Sequence, residues 1–216
     1  RTTRPQGVSP VLTASTTPPT SAPPVTIQDV VLIHGIRTTY EESGLDCFHA
    51  PLIKAGLHIV PWTYRRESFM ASWAAGDMDF ERGGRLADYI YGLGPNKPHL
   101  IAHSNGCRMA AWAMHHGAQF GKVFFFAPAW KAKHPYAGLS FSQLWVMHSW
   151  IDWTVLLGAL VPRHQFGDMG LRGYRGVADD RITNVNAWPA RHSSYFNVAS
   201  RDRWIKFAME RLRLVP

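Results

Sequence analysis

The residues best placed to do chemistry lie at 102–106, Ala-His-Ser-Asn-Gly. They end the apolar run HLIAH (99–103) and open a helix-like pattern. A serine held out at such a junction can attack an acyl carbonyl, provided the residues two before and two after it are small enough for the backbone to turn sharply. Ala102 and Gly106 occupy those positions. The same serine could equally cap the N-terminus of an ordinary helix. Five residues do not separate the two readings.

Three further stretches bear on Ser104. Acyl transfer through a serine needs two backbone N–H groups aimed at the developing oxyanion. One would come from Asn105, directly after the serine. The other would come from the turn after VVLIHGIR (30–37), through Ile36, with Arg37 as the fallback; Gly35 lets the chain turn away there. In MHSWIDWTV (147–155), Asp152 falls just before a helical stretch. It reads either as a helix N-cap or as the carboxylate that fixes the tautomer of a catalytic histidine. In ARHSSYF (190–196), His192 lies in a loop between the last strand and the last helix.

The order Ser104, Asp152, His192, with the His-Gly turn and the small-x-Ser-x-Gly elbow, resembles the α/β-hydrolase superfamily from about residue 29 to 213. The resemblance implies a compact, esterase- or lipase-like serine hydrolase that cleaves a carboxylic ester through an acyl-enzyme. Ser104 would be the nucleophile, His192 the general base and acid, and Asp152 its orienter. A thioesterase, amidase or acyltransferase would share this machinery, and a catalytically inactive binding module on the same fold is a further alternative. The acid is the most open assignment, because Asp168, Asp179 and Asp180 also lie in the region. Two departures stand out. Ala102 replaces the first glycine of the elbow. Only the short stretch WKAKHPYAGLSFSQ separates the fourth and fifth strands, where a lid is often inserted. Any cover must be small or come from the 65–80 loop.

The elements that must position these residues alternate in type. Strands are expected at 30–34, 57–64, 99–103, 122–128, 143–148 and, less apolar and nearer an edge, 180–188. Continuous apolar runs such as VVLI and VFFF mark strands buried on both faces. Helices are expected at 41–56, at 81–92 with Leu86, Tyr89, Ile90 and Leu93 on one face, and at 105–117 and 153–160. A last helix at about 197–213 turns Trp204, Phe207 and Leu212 inward. This alternation predicts a three-layer α/β fold, a mostly parallel sheet of about six strands with helices on both faces and a minimal lid or none. In such sheets, sites form at the carboxyl ends of the strands.

Residues 1–26, rich in Thr, Pro, Ser and Ala, read as a disordered linker to a domain at 27–216, with an upstream domain a possibility. The chain opens on Arg1 with no signal-peptide pattern, which suggests a processed product or the tail of something longer. No window is apolar enough for a membrane helix, so a soluble protein of unassigned compartment is expected. The formal net charge is +8, but the basic residues are scattered. The densest run, 201–213, reads as a solvated helix face, and no nucleic-acid partner is expected. Cys47 and Cys107 suggest two buried thiols and no disulfide framework. No cofactor or metal is expected: there is no H-E-x-x-H, and GLGPNKP precedes a strand where a phosphate loop would precede a helix. Trp130 and Trp150 are candidates for the wall of a pocket that takes a small or lipid-like ester.

Overall fold

In a computed structural model, the runs of Val, Ile, Leu and Phe form the inner strands of a wholly parallel sheet. The structure describes residues 27–36, 38–39, 41–64, 78–136, 138–160 and 167–212. The linker expected at 1–26, Arg37 and most of the 65–80 loop lie outside the described residues. β1 (Asp29–Ile33), β3 (His99–His103) and β4 (Lys122–Phe126) are almost wholly buried. β2 (His58–Trp62), β5 (Gln143–His148) and β6 (Ile182–Asn186) complete the sheet in the order β2-β1-β3-β4-β5-β6. Register is set by pairs such as Ile33 with Ala102, Ala102 with Phe125, and Phe126 with Met147. The polar strand β6 takes an edge, where Thr183, Asn184 and Asn186 face solvent.

Each face of the sheet carries its own core, which makes three layers. On one face α2 (Met78–Gly92) and α3 (Asn105–His115) bury Leu86, Ile90, Met109 and Ala113 against Val31, Leu100, Ala102 and Phe125. On the other, α1 (His49–Lys54) and α6 (Arg201–Leu212) bury Leu52, Trp204, Ala208 and Leu212 against Val30, Leu32, Ile101, Phe124 and Phe126. The outer face of α6 is solvated, with Arg201, Asp202, Arg203, Lys206 and Glu210 exposed.

Several elements differ from the sequence reading. The helix expected at 41–56 is broken into two short 3-10 turns, Glu41–Ser43 and Leu45–Phe48, followed by α1. Gly44 separates the turns at φ 76°, where a side chain would strike Phe196. The helix at 81–92 begins three residues earlier, and Tyr89 points to solvent while Leu86 and Ile90 are buried. The last helix starts at Arg201, after a 3-10 turn at Ser194–Phe196, and Phe207 is half-buried. Cys107 is buried but Cys47 only partly so. A fourth helix α4 (Trp153–Leu160) and a short α5 (Met169–Arg172) follow β5 at the carboxyl end of the sheet. No helix among the described residues is long and apolar enough to cross a membrane.

Candidate active site

The strand order reverses between β1 and β3, and a crevice at the carboxyl ends of such strands is where α/β sheets bind ligands. Ser104 stands there, between β3 and α3, at φ 56° and ψ −121°. A residue other than glycine adopts a positive φ only where its surroundings hold it. Here the Ser104 N–H donates to the Phe126 carbonyl at 2.9 Å, and the Ser104 carbonyl accepts from Cys107 and Ala129, each at 3.2 Å. The small residues around it are required by contact. A Cβ on Gly106 would lie 2.6 Å from the carbonyl oxygens of both Ile33 and His34, and one on Gly35 would lie 3.1 Å from Ser104 Cβ. Ser104 occupies the N-cap position of α3, yet its side chain makes no capping hydrogen bond. The hydroxyl is aimed elsewhere.

It meets His192: Ser104 Oγ is 2.8 Å from His192 Nε2, and His192 Nδ1 is 2.9 Å from Asp152 Oδ2. Asp152 is fully buried, and its two oxygens serve two partners. Oδ2 faces the imidazole, while Oδ1 accepts the Val155 N–H at 3.1 Å in the first turn of α4. The two readings of Asp152 posed as alternatives, helix cap and imidazole partner, therefore coexist in one carboxylate. The competing acids have other partners. Asp168 pairs with Arg172 and accepts the Ala132 N–H, and Asp179 pairs with Arg181.

The backbone around the serine carries donors of the kind an oxyanion needs. The Asn105 N–H opens α3, where no carbonyl one turn back is available to accept it and the helix dipole is positive. Ile36 follows Gly35, whose backbone packs against Ser104. This turn is braced from behind. The His34 ring reaches the Gly35 carbonyl through Nδ1 at 2.7 Å and stacks on Tyr64 at 4.5 Å, and the Tyr64 hydroxyl donates to the His34 carbonyl at 3.0 Å. Burial pushes the Tyr64 phenol well above its ordinary range.

Sequence reasoning missed His103. Burial, with His192 nearby, pushes it down to about 3 and so keeps it neutral. Its Nε2–H donates to the His192 carbonyl at 2.9 Å, and Phe196 packs edge-on against its ring. The residue before the serine thus holds the loop that carries the imidazole. Its place in the elbow was the available signal. Behind the serine, Arg108 and Arg82 both reach the buried Asp79, which ties α3 to α2. Of the two pocket candidates, Trp130 is buried edge-on against Trp112, with the Arg108 guanidinium 5.5 Å from its ring centre. Trp150 instead projects into solvent. It is anchored only by a turn, so it does not wall an enclosed pocket. Among the described residues, no group of three or more His, Cys, Asp or Glu could hold a metal ion.

No protein-family model and no curated protein sequence matches the chain. Solved structures do. A predicted CIB-like hydrolase from Thermoplasma acidophilum superposes with a TM-score of 0.57 over 89% of this chain and 89% of its own, at 14% identity. A Thermus thermophilus protein gives 0.53 over 88% and 91%, at 13% identity. The pyrethroid hydrolase PytH gives 0.51 over 87% and 100%, also at 13% identity.

Proposed function

The chain has the α/β-hydrolase fold, and on that premise we propose that it is a serine hydrolase cleaving a carboxylic ester. Ser104 is the nucleophile, His192 the general base and acid, and Asp152 the residue that orients the imidazole. The observation that carries this reading is the continuous chain from the hydroxyl through the imidazole to a buried carboxylate, with steps of 2.8 and 2.9 Å. It starts at a serine that occupies a helix cap position without capping.

The mechanism follows from the atoms. His192 Nε2 takes the Ser104 proton as Oγ bonds to the ester carbonyl carbon. Asp152 Oδ2 accepts from Nδ1–H and stabilises the imidazolium. The tetrahedral oxyanion is met by the Asn105 and Ile36 N–H groups. The imidazolium returns the proton to the departing alkoxide, which leaves the acyl group on Ser104. Water, deprotonated by the same imidazole, then attacks the acyl carbon, and the imidazolium returns that proton to Ser104 Oγ as the acyl C–Oγ bond breaks and the acid is released. His103 acts through His192, as a positioning residue.

A fluorophosphonate probe tests activity and nucleophile together. The expected outcome is one labelled peptide containing Ser104, no labelling of Ser104→Ala, and a loss of about 10³ or more in p-nitrophenyl ester turnover for that variant. Labelling elsewhere, or a Ser104→Ala variant that keeps a tenth of the activity, refutes the assignment.

A further inference from the structure

The rim of the candidate site is apolar in a way that packing does not explain. Trp150, Trp153, Leu157 and Trp188 are 69%, 65%, 62% and 54% exposed. All four lie in the connections that leave the carboxyl ends of β5 and β6, beside Asp152 and on the loop leading to His192. Trp153 and Leu157, one turn apart on α4, share one face of the helix, and Trp150 stands in the turn that precedes it. Val155, on the opposite side of α4, is buried and roots the helix.

Exposed charge beside this stripe is mostly positive, although Glu42 and Asp46 after β1 and Asp202 at the start of α6 are exposed at the same end of the sheet. Lys131 and Lys133, after β4, and Arg191, after β6, are exposed. Among the described residues of the connections after β4, at 127–136 and 138–142, after β5, at 149–160 and 167–181, and after β6, at 187–200, the carboxylates are Asp152, Asp168, Asp179 and Asp180, the last two next to the amino end of β6. Asp152 is buried on His192, and Asp168 is paired with Arg172. The whole chain carries a formal charge of +8.

We propose that this rim is a docking surface for an anionic lipid bilayer, which would seat the candidate site against the membrane. Tryptophan suits the boundary between headgroups and acyl chains, because its ring is apolar and its N–H needs a polar partner. Leu157 adds apolar area at the same level. Basic side chains beside such a stripe are drawn to the negative surface potential of anionic lipids, which supplies the charge complementarity that a neutral apolar patch lacks. A protein partner would need no such excess of positive charge.

The test is vesicle binding by the full chain, read by co-sedimentation and tryptophan emission, which does not depend on ester turnover. Vesicles of phosphatidylcholine with about 30% phosphatidylserine are compared with phosphatidylcholine alone at low salt. The expected result is binding at least tenfold tighter to the anionic vesicles, a blue shift of emission, and weakening by salt. Trp153→Ser combined with Leu157→Ser and Trp188→Ser should lower the partition at least tenfold, with the helical circular-dichroism signal kept. Should that variant misfold, Lys131→Glu with Arg191→Glu should remove the preference for anionic vesicles. No binding to anionic vesicles, equal binding to both compositions, or undiminished binding by a folded triple variant overturns the proposal. So does a self-association or protein capture that the same substitutions abolish while vesicle binding is absent.

Discussion

Replacing Asp152 by Asn and by Ala separates the two tasks of one carboxylate. Its Oδ2 sits 2.9 Å from His192 Nδ1, and the group is fully buried. An imidazolium and a carboxylate about 4 Å apart attract by about 4 kcal/mol at an effective dielectric constant near 20. That corresponds to about 10³ in rate at about 1.4 kcal/mol per decade. An amide that turns its NH₂ toward Nδ1 also favours the wrong tautomer, which brings the expected loss of kcat to about 10³–10⁴, with KM changed little. Asn keeps Oδ1 for the Val155 N–H, so it should cost little of the cap. Ala removes that acceptor and should lose about 1 kcal/mol more in urea unfolding. The assay is p-nitrophenyl ester turnover at pH 8 alongside urea melts of all three proteins. An Asn variant retaining a tenth of kcat would refute the orienting role. Equal stability of the Asn and Ala variants would refute the cap.

Two more outcomes follow from contacts. Gly106→Ala forces a methyl group to within 2.6 Å of the carbonyl oxygens of Ile33, at the end of β1, and His34, just after it, so the start of α3 must retreat, at about 1–3 kcal/mol. Ser104 and the Asn105 N–H move with it, and kcat should fall about 10²-fold; a variant with wild-type kcat would show that the close approach is not needed. Acid should weaken the fold, because burial pushes His99 and His134 down to about 4 and His103 to about 3. The unfolded chain binds protons at these sites below about pH 6.5 while the folded chain does not, so stability is complete above that pH and declines as pH falls toward 4. By pH 5 the buried His99 and His103 each contribute a loss of about 2 kcal/mol; a Tm that stays flat from pH 7 to 5 would contradict this.

The inner strands were legible because a strand covered on both faces must be apolar throughout, and VVLI, LIA and VFFF are. The polarity of 182–186 likewise placed β6 at an edge. What escaped was decided by contacts between segments distant in the chain. Residues 41–56 have helical composition, but Gly44 must yield to Phe196, some 150 residues on, and no local pattern records that. Tyr89 falls on the apolar side by spacing, yet the core is already filled by Leu86 and Ile90. At the site, the residue types and order of Ser104, Asp152 and His192 could be read, but the aim of each side chain could not. The same limit hid the hydrogen bond from His103 to the His192 carbonyl and the outward turn of Trp150.

The two outer strands bear on how this protein behaves when crowded. The His58 N–H of β2 points inward to the Gln28 carbonyl, so along a strand whose groups alternate, the positions facing outward are Ile59 and Pro61. Pro61 has no N–H to offer, and a newcomer strand would find a gap in its ladder there. At the opposite edge, the Asn184 amide already engages both the N–H and the carbonyl of Tyr174, at 2.7 and 2.9 Å. The β2 margin therefore offers no clean template for recruiting another copy, so growth of fibrils from that edge should be resisted even though the inner strands are rich in valine and phenylalanine.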